Sequence, residues 1–112
     1  MTTTPQPNQP ALKEGRANLQ RGRETVGGRL RLLSDRLVFT PHKLNFQSDP
    51  VEVPLAEVRG TRPVWTKFLG VLPLAPNSLA VELADGTEHA FVLSGRQGWK
   101  SAIDDAVAAA QR

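Results

Sequence analysis

Apolar and polar residues alternate in short runs along most of this chain, most clearly in residues 28–45, GRLRLLSDRLVFTPHKLN. Successive side chains of a strand point to opposite faces, so Leu30 and Leu32 share one side and Arg29 and Arg31 the other. After the polar turn at Ser34 and Asp35, Leu37 and Phe39 repeat the apolar side until Pro41, which cannot donate to a ladder. The pattern predicts a half-buried antiparallel hairpin whose outer face is basic.

Comparable runs predict strands over 17–21, 26–33, 36–40, 51–56 and 58–64, with a turn at 22–24 and a polar excursion at 45–50. Pro54 places the 51–56 strand at an edge or ends it there, and Gly60 and Pro63 break or bend the next one. Residues 65–76 show no readable period. Two clean strands follow at 78–83 and 87–93. Leu79, Val81 and Leu83 share a face in one, and His89, Phe91 and Leu93 in the other. Asp85-Gly86 joins them, and Asp-Gly between alternating runs is a strong hairpin signal.

Beyond residue 95 the period changes. Trp99, Ile103, Ala106 and Val107 recur at helical spacing and predict a helix over 96–110, with Ser94 as N-cap and Gln97 completing a capping box. Its apolar stripe must cover the sheet. The chain therefore reads as mainly β, about seven strands, with one C-terminal helix. Residues 1–10, mostly Thr, Pro, Gln and Asn, are too polar to offset the entropy of ordering and read as a flexible tail. Residues 11–112 form a single domain with one modest core.

Composition narrows the function classes. The chain has no cysteine, which removes disulfides and thiolate metal sites. No apolar run approaches the roughly 18–20 residues that span a bilayer, and MTTTPQPNQP lacks the features of a secretion signal. A cytoplasmic location is expected, with peripheral contact at a membrane left open. His42 and His89 are the only histidines and lie at no metal-ligand spacing. No nucleophile elbow, phosphate loop or dinucleotide fingerprint is present. Asp104 and Asp105, adjacent on a helix, point about 100° apart and cannot converge on one atom. Neither a catalytic residue, a metal nor a cofactor is expected, and His42 and His89 read as a turn histidine and a partly buried strand histidine.

Two sets of residues remain as candidates. The net charge is +3, yet residues 1–36 hold seven basic side chains against three acidic ones. Most of these are arginines, whose planar forks suit phosphate and carboxylate. Arg21, Arg23, Arg29 and Arg31 form the candidate set for an anionic headgroup. A plain solvated strand face is the competing reading. Nucleic acid is set aside, because no aromatic residues interleave with the arginines to stack bases. The second set lies in VWTKFLGVLPLAP, residues 64–76, where Trp65, Phe68 and Leu69 are too apolar for an idle loop. Either they pack over the end of the fold, or they project to dip into a membrane or dock a protein partner.

The sequence resembles a GRAM domain, within the PH-like superfamily, of the small single-domain bacterial type. The family shows a G-x-L-x-L-T-x-x-R-L-x-F opening, an I-P-L-x-x-I strand, an N-x-L-x-V-x-L-x-D-G-x-x-x-x-F hairpin and a tryptophan in the closing helix. Residues 28–45, VEVPLAEVRG at 51–60 and NSLAVELADGTEHAFVLSGRQGW at 77–99 carry these pieces in order. Ser34 replaces the usual threonine, and 65–76 is longer and more apolar than the family leads one to expect. The resemblance implies a seven-stranded antiparallel PH-like barrel or sandwich capped by the helix, acting as a non-catalytic module for lipid or protein. Arg23, Arg29 and Arg31 are also similar to the basic pattern of phosphoinositide-binding PH domains, without its loop lysine. Two functions stay open: an adaptor for a protein partner through 64–76 or an open sheet edge, and a peripheral module for anionic lipid.

Overall fold

The structure, a computed structural model, describes residues 10–21, 24–42, 49–68 and 72–112, and for 67–68 and 72–76 the backbone alone. Seven strands run β1 (Lys13–Arg21), β2 (Glu24–Leu32), β3 (Arg36–Pro41), β4 (Val51–Pro54), β5 (Val58–Phe68), β6 (Leu72–Leu83) and β7 (Glu88–Leu93). A 3-10 turn, Leu55–Glu57, links β4 to β5, and helix α1 (Arg96–Ala110) closes the chain. The strands form one antiparallel sheet in the order β4-β3-β2-β1-β7-β6-β5.

The period-2 alternation decides which side of this sheet is dry. Ala17 and Leu19 of β1, Leu30 and Leu32 of β2, Leu37 and Phe39 of β3, and Leu79 and Val81 of β6 all lie in one core. Phe91 and Leu93 of β7 join them, and the Phe39 and Phe91 rings meet at 5.8 Å between centroids, tilted by 45°. At Gly28 the β2 backbone comes close to the Phe39 ring of β3. A Cβ on Gly28 would stand 2.4 Å from the Thr40 carbonyl oxygen and 2.6 Å from the Phe39 ring, so glycine makes that approach possible.

Helix α1 seals the core with Trp99, Ile103 and Ala106, and with Val107 half-buried, as the helical stripe predicts. Its start differs from expectation. Ser94 makes no cap; Gly95 occupies the N-cap in the left-handed region, φ 67°, and the first helical bond runs from the Trp99 N–H to the Gly95 carbonyl at 3.1 Å. The chain must reverse from strand to helix within two residues, and a glycine at positive φ makes that turn. The capping-box signature is consequently one position out of place.

The other difference lies at 65–76. These residues continue the hairpin: β5 extends to Phe68 and β6 begins at Leu72. Register shifts between Val58 and Gly60, Val64 and Thr66, and Thr66 and Lys67 interrupt the alternation. Each bulge moves the side-chain period by a residue, which hides a strand from a period-2 reading. Pairing of β6 with β7 covers Ser78–Glu82, so Pro73 and Pro76 fall where β6 has no ladder with β7 to break. Likewise, the strand expected over 51–56 stops at Pro54 and tightens into the 3-10 turn.

Side chains of α1 and the residue after it cover the outer edge of β5. Arg96 donates to the Val64 carbonyl at 3.2 Å, Lys100 to the Thr61 carbonyl at 3.0 Å, and Gln111 to the Val58 carbonyl at 2.7 Å. Thr61 also donates its hydroxyl to Asp104 at 2.6 Å, and Lys100 pairs with Asp104 at 2.8 Å. Those carbonyls are unavailable for strand addition, while the opposite edge, β4, is four residues long and ends in proline. Docking through a sheet edge, open on sequence grounds, is thus disfavoured at both ends of the sheet.

Candidate functional site

Arg16, Arg29 and Arg31 occupy the wet face of β1 and β2. Arg29 and Arg31 converge on one carboxylate: Arg29 donates to Glu14 Oε1 at 3.0 Å and Arg31 to Glu14 Oε2 at 3.3 Å. These two hydrogen bonds, Arg29 first, hold the Glu14 carboxyl below its ordinary value. Their side chains are 51% and 21% exposed, so Arg29 is the more accessible of the pair. Directly across the ladder from Arg29 stands Arg16, and no carboxylate among the described residues pairs with it.

Arg21 sits elsewhere. It ends β1, five residues from Arg16, which at about 3.3 Å per residue is roughly 17 Å along the strand. It also shares the parity of Ala17 and Leu19, whereas Arg29 and Arg31 face the other way. Its charge acts on His89, whose pKa lies below the ordinary value because of burial first and Arg21 second, with Asp85 opposing. Arg23 lies outside the described residues. The geometry accordingly joins Arg29 and Arg31 on Glu14, sets Arg16 across the ladder from Arg29, and leaves Arg21 apart.

Trp65 is open to solvent, 52% exposed. It walls a cleft of about 690 Å³ with Val64, Arg62, Gln20, Glu88 and Ala90. Arg62 and Glu88 pair across the rim at 2.6 Å. Phe68 belongs to β5 by its backbone, and Leu69 lies outside the described residues. Of the two sequence readings of 64–76, burial over the end of the fold does not hold for the Trp65 indole.

A second cleft, of about 320 Å³, lies where β1 meets β2 and β7. Arg16, Asn18, His42, Asn77 and Ser94 supply its polar lining over Gly28 and Val92. Sequence reasoning counted Arg16 only toward the basic excess and took His42 for a turn residue. The available signal was the alternation of Arg16 and Asn18 with Ala17 and Leu19. What the sequence could not show is that β1 pairs with both β2 and β7, which brings Ser94 to the same place, and that β6 pairs with β7 in turn and brings Asn77. Among the described residues no three His, Cys, Asp or Glu side chains group as a metal site, and no helix is long and apolar enough to cross a membrane.

No protein-family model matches this sequence, and no curated protein matches it either. Solved structures do. The C-terminal domain of an unknown protein from Leishmania infantum superimposes with a TM-score of 0.74 at 12% identity, over 89% of this chain and 85% of that one. The linker-DH/PH structure of p115-RhoGEF gives 0.69 at 15% identity over 91% of this chain; the match spans 30% of that longer chain. The Slm1 PH domain, solved with inositol-4-phosphate, gives 0.59 at 12% identity over 86% and 92%. The order of seven antiparallel strands, their curl around one core, the closing helix and these superpositions agree: the chain has the PH-like fold.

Proposed function

We propose that this chain is a non-catalytic PH-like module of the GRAM type that acts as an adaptor, docking a protein partner in the Trp65 cleft. The observation that carries this reading is the exposed indole beside Val64 and Ala90, in the larger of the two clefts described above. Large aromatic rings left open in a shaped apolar cleft are the residues that anchor protein interfaces. Capping of the β5 edge by α1 favours recognition through side chains over strand addition.

The test is selection from a displayed random-peptide library on the wild-type protein, followed by binding to Trp65→Ser. Peptides that bind the wild type, lose binding with the serine variant and tolerate high salt support the reading. Recovery only of peptides indifferent to the substitution would sink it.

A second reading is a peripheral module at anionic lipid, through Arg29 and Arg31 with Arg21 and Arg23. The Slm1 PH domain, with its bound inositol-4-phosphate, favours it by analogy of fold. Against it, Glu14 already engages both Arg29 and Arg31. Co-sedimentation with neutral and anionic liposomes at two salt concentrations separates the readings. Binding to anionic vesicles alone, lost with salt, belongs to the lipid reading, since exposed charges are screened within about 10 Å at 0.1 M salt.

A further inference from the structure

We infer that Arg96 is the positioning residue of the Trp65 cleft: its guanidinium clamps the last regular rung of the β5–β6 ladder and couples the docking site to helix α1. The inference rests on the docking reading above and adds what holds that site in shape.

The register of the ladder shows where Trp65 needs support. Val64 and Ser78 stand opposite each other, and the next opposed pair is Thr66 with Ala75. Trp65 on β5 and residues 76–77 on β6 therefore have no opposite. An irregularity of this kind re-aims a side chain and weakens the ladder locally. β5 is also the last strand of the sheet, and among the described residues it pairs only with β6. Backbone pairing alone holds Trp65 poorly, whereas an anchor residue gains affinity when it is fixed before the partner arrives.

Side chains make up the deficit. Arg96 Nη1 donates to the Val64 carbonyl at 3.2 Å and, more loosely, to the Ser78 carbonyl at 3.4 Å. One nitrogen thus ties both strands at the rung beside Trp65. On the other side of the indole, the Thr66 hydroxyl donates to Asn77 Oδ1. That leaves the Thr66 oxygen to accept the Ser78 hydroxyl at 2.7 Å. These last bonds stay within the hairpin. Arg96 comes from outside it: Gly95 turns the chain at φ 67°, and Arg96 is the first residue of α1. It does not wall the cleft, so it acts through Val64 and its neighbour rather than by touching a ligand. The same helix buries Trp99 and Ile103 in the core. The clamp therefore links the seating of α1 to the shape of the cleft, and such a coupling works in both directions.

The experiment labels the full chain with 5-fluorotryptophan and follows its two fluorine resonances, assigned by the loss of one in Trp65→Ser. Arg96→Gln, too short to bridge the two carbonyls, should shift and broaden the Trp65 line toward its position in denaturant while the Trp99 line stays in place. Arg96→Lys keeps the charge and most of the reach without the fork, and its line should fall between. Lys100→Gln breaks a contact from the same helix to Thr61, away from the bulge, and should leave the Trp65 line unmoved. Peptides recovered from the displayed library on the wild type should bind Arg96→Gln about tenfold more weakly, with Arg96→Lys partly restoring them. Melting curves confirm that each variant is folded at the temperature of measurement; if Arg96→Gln is not, Arg96→Lys carries the comparison.

An unmoved Trp65 line in the Arg96 variants overturns the inference and leaves docking at Trp65 untouched. Movement of both tryptophan lines together also overturns it, because Arg96 would then hold the helix at large rather than the bulge. An equal response to Lys100→Gln removes the assignment for the same reason. Trp65-dependent peptides that bind Arg96→Gln as tightly as the wild type sink it too, since the clamp would not serve the site. A Trp65 line that moves as expected, with no library peptide dependent on Trp65, supports the clamp and overturns the docking reading instead.

Discussion

The two tryptophans of this chain divide it into regions built on opposite rules. Trp99 is 3% exposed, lies beneath the start of β1 near Gly15, and has the Lys13 ammonium 5.3 Å from its ring. Trp65 is half open to water on a bulged stretch of β5. Around Trp99 the apolar side chains Ala17, Ile103 and Ala106 follow the periods of their elements into the core. Around Trp65 the period breaks, the ladder shifts and apolar surface remains uncovered. The packed core and the uncovered apolar surface thus lie on different parts of one small sheet.

The comparison is broken most directly at Trp99. Replacing it with alanine removes a buried ring and leaves a void between α1 and the sheet, at a cost of about 3–5 kcal/mol. The melting temperature should fall by at least about 12 °C, at roughly 4–8 °C per kcal/mol for a domain near this size. A change of only a few degrees would mean that the helix does not carry the closure assigned to it. Next in size is Gly28→Ala. The added methyl meets the Thr40 carbonyl and the Phe39 ring, and a main-chain oxygen cannot step aside without moving β3. A loss of about 1–3 kcal/mol is expected from such overpacking, measured by denaturant midpoint. Gly86→Asn serves as contrast: nothing lies near an added Cβ there, so its cost is the backbone strain of φ 92°, which asparagine bears better than most residues.

These two regions also differ in how far the sequence discloses them. Residues whose neighbours follow from a regular period were legible: Leu30, Leu37, Phe91 and Trp99 all declared their faces, and Asp85-Gly86 declared its turn. In that turn Gly86 has φ 92° and the Asp85 carboxylate accepts the Thr87 N–H at 2.8 Å. Residues whose role depends on a bulge or a distant pairing were not. Trp65 was conspicuous as an apolar residue, but its exposure follows from register shifts that no local pattern announces. Arg16 and His42 looked ordinary because the cleft they share is made by β1 meeting β2 on one side and β7 on the other. The helix start misled for a related reason: Ser94 and Gln97 satisfy a local signature, while the reversal out of β7 requires the glycine between them.

Acid sharpens the contrast through smaller effects at the margins of the sheet. Burial and Arg21 depress the pKa of His89 from its ordinary 6.5. As pH falls from there toward the depressed folded value, the unfolded chain binds a proton that the folded chain refuses, and stability declines. Glu14 acts lower on the scale. Its folded pKa is below the ordinary 4.5, so its contribution is complete above that value and is lost as pH falls through the folded one. Stability against pH should therefore slope downward twice on the acid side. His89→Gln should flatten the upper slope, and Glu14→Gln should reduce the lower one, which the Asp85 carboxyl, held below its ordinary value by the Thr87 N–H, also feeds; melting temperatures across pH 3–8 read both. A curve unaltered by both substitutions would detach these groups from folding.

The smallest stability effect belongs to the residue with the largest expected effect on binding. Trp65→Ser exchanges an indole already half in water for a small polar group, on a strand whose core contacts come from its neighbours. Such surface changes stay within about 0.5 kcal/mol. The melting temperature should move by no more than a few degrees, far less than for Trp99→Ala, while peptides anchored in the cleft are lost. Should Trp65→Ser instead melt the domain as Trp99→Ala does, the indole would be part of the core and the cleft would have no claim as a docking surface. A pair of substitutions at the same residue type, one costing stability and the other costing only binding, would establish that the bulged end of β5 is kept apolar for contact with something outside this chain.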